Sequence, residues 1–137
     1  QNIRRMRDFM EMIARNPASG VYPTGPDYIH ALEVRHPSRL LFVSGTMGLD
    51  QKGMAAADLE GQLELIWSNL GAILASADMT VDNIVRLTSY LRDGAFVEAN
   101  QNARLRALGG RAVPTTAIIV ETLSDDWLIE IEIIAAG

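Results

Sequence analysis

At 137 residues, 48% hydrophobic and 21% charged, the chain is long enough for one self-sufficient core. It has no cysteine, which excludes disulfide staples, a thiol nucleophile and every Cys-based zinc or iron–sulfur centre. A formal charge of −5 has the wrong sign for a protein that lives on nucleic-acid backbones.

Ile3, Met6, Phe9 or Met10, and Ile13 recur at helical spacing, predicting an amphipathic helix over Ile3–Ala14 that ends near Asn16-Pro17. These first residues lack the unbroken apolar centre of a signal peptide, and cytoplasm is the expected compartment. Pro17–Asp27 reads as a loop. Tyr28–Val34 and Arg39–Ser44 read as two strands of a hairpin, the second near-continuously apolar through Leu40-Leu41-Phe42-Val43. After a turn-rich Met47–Met54, Asp58 is placed to cap a helix whose apolar residues Leu59, Leu63, Leu70 and Leu74 carry it to Ala77. Ile84–Leu91 alternates as a half-buried strand. A second helix runs from Gly94 to Gly109-Gly110, and strands follow over Thr115–Thr122 and Trp127–Ala135. The expected class is α+β: two long helices on one face of a mixed sheet, preceded by an N-terminal helix. No run approaches the ~20 apolar residues that cross a bilayer, so no membrane partner is expected.

Chemistry is sparse. Eleven of the twelve basic residues are arginine, and the lone lysine, Lys52, sits in a turn, so amine chemistry is not expected. His30 and His36 lie on the predicted hairpin with no carboxylate at ligand spacing, so no metal is expected. Glu130 and Glu132 stand two apart in the last strand, with Ile129, Ile131 and Ile133 between and around them. Period two puts both carboxylates on one face, which suits a wet cleft or a pairing surface between subunits.

Several segments together resemble the YjgF (Rid, reactive intermediate deaminase) family. They are Tyr28-Ile29-His30-Ala31, Leu40 through Asp50, Ile84 through Leu91, Phe96 through Asn100, Thr115-Thr116 and Ile129 through Ala135. The resemblance divides the chain into an extension, residues 1–27, and a Rid-like domain, residues 28–137. It implies a chorismate-mutase-like fold, a homotrimer with clefts between subunits, and hydrolysis of enamines or imines without a cofactor. By position Tyr28, Ser44, Gly45, Phe96, Asn100 and Thr116 match cleft residues, and Glu130 matches the glutamate that handles the water. One position departs. Where the deaminases carry an arginine that clamps the substrate carboxylate, this chain has Pro114, which offers no donor at all. Arg104 and Arg111 are the candidates for replacing it. The expected function is hydrolysis of an imine or enamine other than 2-aminoacrylate or 2-iminopropionate. The alternatives are a non-catalytic metabolite-binding trimer and, against the charge, an endoribonuclease.

Overall fold

The last strand organises the molecule. In the computed structural model, which describes residues 9–137, β7 (Ile129–Ala136) lies between β4 (Leu40–Met47) and β5 (Ile84–Leu91), antiparallel to both. On the other side of β5, β6 (Val113–Ile119) runs parallel to it. The two-residue β2 (Tyr28–Ile29) runs parallel to β6, so the sheet order is β2-β6-β5-β7-β4. Ile129, Ile131 and Ile133 turn to one face with Leu87 and Leu91 of β5, and all are buried there. Each such side chain contributes roughly 1.5–3 kcal/mol relative to exposure.

Two helices cover that face. The first, α1 (Leu59–Ser76), starts where expected: the Asp58 side chain accepts the Gly61 amide at 2.8 Å. It buries Leu63, Ile66, Leu70 and Leu74, the 3.6-residue stripe anticipated from the pattern. Gln62 is buried with them and fully engaged. Its amide donates to the Ala56 and Asp126 carbonyls and its oxygen accepts from Leu128, pinning two loops to the helix. A β-carbon on Gly48 would come within 2.5 Å of the Gln62 α-carbon, so α1 sits this close only over glycine. The second helix, α2 (Val97–Ala107), follows a 3-10 turn at Gly94–Phe96 and ends at Gly109 and Gly110, both left-handed.

Two expectations are corrected. Glu11–Arg15, inside the anticipated N-terminal helix, is instead strand β1, antiparallel to β3 (Ala31–Arg35) and tied to it by Arg15 and Glu33. The Ile3–Asp8 part of that helix lies outside the described residues. Helical spacing over so few residues is a weak preference, and an open strand edge at β3 overrides it. The anticipated hairpin is also absent among the described residues, since β3 pairs with β1 while β4 pairs with β7. The turn between them is claimed by the chain end: Ser38 and Arg39 amides both donate to the Gly137 carbonyl, at 3.1 and 2.9 Å.

β4 also runs three residues past its expected end at Ser44. Val43 pairs with Ile133 but Thr46 pairs with Ile131, so Ser44 and Gly45 together face the single residue Glu132 in a β-bulge.

Candidate functional site

With the helices on one face, strand alternation sends Glu130 and Glu132, Arg86, Thr88 and Tyr90, and Thr116 to the other. This open face is the one the glutamate pair predicted. Glu130 is partly buried, and the loss of water together with the neighbouring Glu132 charge pushes its carboxyl above the ordinary range. The bulge lets its carboxylate lie against bare backbone: a β-carbon at Gly45 would meet Glu130 Oε2 at 2.9 Å. Beside it the Tyr90 hydroxyl donates to Glu132, which raises the tyrosine's own pKa. Further along the same strand, β5, Arg86 Nη2 donates to Thr116 Oγ1 of β6 at 2.7 Å. Phe42, Arg86, Thr88, Glu132 and Ile134 line a shallow groove of about 260 Å³ on this face.

The candidate residues do not all meet within one chain. Gly45, Thr116 and Glu130 belong to the open face, and Ser44 is exposed on the bulge. Tyr28 stands at the far edge in β2, edge-on to the His30 ring, which packs on Tyr22 and reaches its carbonyl at 2.6 Å. Phe96 and Asn100 belong to the helical layer. Phe96 packs on the core, and Asn100 is buried with its Oδ1 unpartnered among the described residues.

Neither arginine proposed to replace the clamp presents itself to the open face. Arg104 is buried and its Nη2 pairs with Asp27 Oδ2 at 2.8 Å. Burial lowers the Arg104 pKa and the Asp27 charge partly restores it. Arg111 Nη2 donates to the carbonyls of Val81 and Ile84, at 2.9 Å each. Arg86 is the cation the sequence reading passed over. The polar alternation of Ile84–Leu91 was visible, but its closeness to Thr116 depends on the β5–β6 register. His36 lies in a left-handed turn away from His30's aromatic cluster. Among the described residues no group of three or more His, Asp or Glu side chains is placed to hold a metal. A larger groove, about 570 Å³, runs between the helices on the opposite side, past Glu64, Trp67 and Arg106, and contains none of the candidate residues.

The family model described as endoribonuclease L-PSP matches residues 22–137. The chain belongs to this family. A RutC family protein of Pyrococcus horikoshii is 30% identical over 116 residues, spanning 82% of this chain and 88% of that one. The Escherichia coli RutC family protein YjgH is 36% identical over 80 residues, 55% of this chain and 60% of that one. Among solved structures, the Rid family protein YyfB of Yersinia pestis superimposes with a TM-score of 0.77 at 25% identity, covering 92% of this chain and 98% of that one. The L-PSP or Rid domain here is thus the chorismate-mutase-like α+β fold, with its two helices on one face of a five-stranded sheet.

Proposed function

We propose that this Rid family member hydrolyses an imine or enamine in a cleft between subunits of a homotrimer. The observation that carries this reading is the Glu130 carboxyl, raised in pKa and lodged against the backbone of Gly45. Such a group, once ionised, is a stronger base than an ordinary carboxylate, which suits general-base work. Glu130 takes a proton from water as the oxygen attacks the imine carbon. The resulting carbinolamine collapses to a carbonyl and ammonia, with the proton returned to the departing nitrogen. Backbone groups at Gly45 and Thr116 orient the substrate, and Tyr28 and Phe96 wall it. The division of these residues between the open face, the β2 edge and the helical layer supports a site completed by a second copy. So does apolar exposure on the uncovered strands: Phe42 is 71% exposed and Ile118 45%.

Pro114 makes 2-aminoacrylate and 2-iminopropionate poor substrates and favours, as a second reading, a trimer that binds a metabolite without turning it over. The endoribonuclease in the family's description is disfavoured by the −5 charge. Imines generated in situ from a panel of amino acids by an amino-acid oxidase test the proposal, with ammonia release as the readout. Parent turnover lost in Glu130→Gln supports it, and no turnover by the parent on any imine supports the binder. Light scattering should give about three times the 15.0 kDa of one chain.

A further inference from the structure

The arginines among the described residues are mostly spoken for. Arg15 and Arg35 pair with Glu33, Arg92 with Asp125 and Arg104 with Asp27, while Arg39 and Arg111 donate to backbone carbonyls. Arg106 is exposed to solvent. Arg86 differs from all of these. It is half-buried on the open face, and its one partner among the described residues is the neutral Thr116 hydroxyl. A guanidinium has five N–H donors in a planar fork, and withdrawing it from water beside a single neutral acceptor costs free energy. The groove it lines, about 260 Å³, has room for a small molecule's anionic end. Glu132, on the same groove wall, takes its hydrogen bond from Tyr90 and makes no ion pair with Arg86.

We propose that Arg86 is the substrate-binding residue for the ligand's carboxylate, its fork held in place by Thr116. This rests on the proposed small-metabolite cleft and names its anion contact. The register explains how this fits with Pro114. Leu87 pairs with Thr115, so one step back along both parallel strands Arg86 stands beside Pro114. Thr116, two residues beyond Pro114, shares its face. The positive charge absent from β6 is therefore supplied across the seam from β5. A neighbouring strand is offset by ~4.8 Å, so the anion is displaced from where a residue at 114 would hold it.

The test is calorimetric titration of the intact oligomer with 2-oxohexanoate and with its neutral counterpart 2-oxohexanamide. Arg86→Gln should weaken 2-oxohexanoate by about tenfold or more, the loss expected when a charge-assisted bond is removed, and leave the amide within roughly twofold. Arg86→Lys should fall between, because a point charge replaces the fork. Thr116→Val, which only frees the guanidinium, should weaken the carboxylate alone and by less. Three outcomes overturn the proposal: a parent that does not bind 2-oxohexanoate, equal losses for acid and amide, or an Arg86→Gln protein that loses its oligomeric state, meaning that Arg86 serves a subunit contact. Ammonia release separates this from the hydrolase reading. A parent that binds the acid through Arg86 but hydrolyses no imine retains the anion contact and loses the enzyme.

Discussion

Glu130 Oε2 lies so close to Gly45 that a β-carbon there would approach it to 2.9 Å, inside any real contact distance. The relationship exists because the bulge at Ser44–Gly45 brings an extra residue of β4 against β7. Gly45→Ala should therefore push the carboxylate aside and lower imine hydrolysis by about tenfold to a hundredfold, as misplacement of a reacting group does. Its melting temperature should change by only a few degrees, since a carboxylate tip gives way more easily than backbone. Parent-like turnover in Gly45→Ala would separate this contact from catalysis.

Glu130 has a folded-state pKa above its ordinary value of 4.5, chiefly through burial and secondarily through Glu132. The folded protein thus holds this proton more tightly than the unfolded chain does. As pH rises from about 4.5 through the folded pKa, ionising the carboxyl costs the folded state stability, and the loss persists at neutral pH. Glu130→Gln should accordingly melt slightly higher than the parent at neutral pH, with the gap closing toward acid. Thermal melts across pH check this. A Gln variant less stable than the parent at neutral pH would contradict it. In the parent, turnover should rise with pH through a limb above the usual carboxylate range, because the base must be ionised.

Pro114 is flanked by Ile29 of β2 and, by register, Arg86 of β5. Pro114→Arg places a fork on β6 itself and should raise turnover of 2-iminopropionate by about tenfold or more over the parent. Because it adds a second cation beside Arg86, its melting temperature should fall modestly. Unchanged turnover in a folded variant would show that Pro114 does not limit the substrate.

Arg104 and Asp27 form a buried pair that ties α2 to the segment just before Tyr28. Asp27→Ala leaves the guanidinium buried and uncompensated, which should cost about 3 kcal/mol in chemical denaturation. Adding Arg104→Leu to Asp27→Ala should recover most of that loss, because the stranded charge is then gone. A double variant as unstable as Asp27→Ala alone would assign the cost to lost packing.

How much of this was legible beforehand follows from the range of each interaction. The stripe of Leu63, Leu70 and Leu74 and the Asp58 cap are local, and both helices stand where the pattern placed them. Glu130 and Glu132 share a face for the same reason, since alternation is built into one strand. The N-terminal helix failed over Glu11–Arg15 because its competitor, the edge of β3, is some twenty residues away in sequence and left no mark on the local spacing. Arg104 and Arg111 could be named as arginines near a cleft, but their partners lie on other elements. Only the packed chain shows that they are occupied.

The sequence by itself determined the class, the helices, the buried faces and the carboxylate pair, because propensity and periodicity act over a turn or a few strand residues. Only the tertiary structure decided that β4 bulges against Glu130, that the anticipated hairpin gives way to pairings with β1 and β7, and that Arg86 arrives beside Pro114. Those depend on register between distant strands. A shift of one residue would turn every side chain of a strand to the other face, so burial of the apolar face sets the register and, through it, what stands beside what.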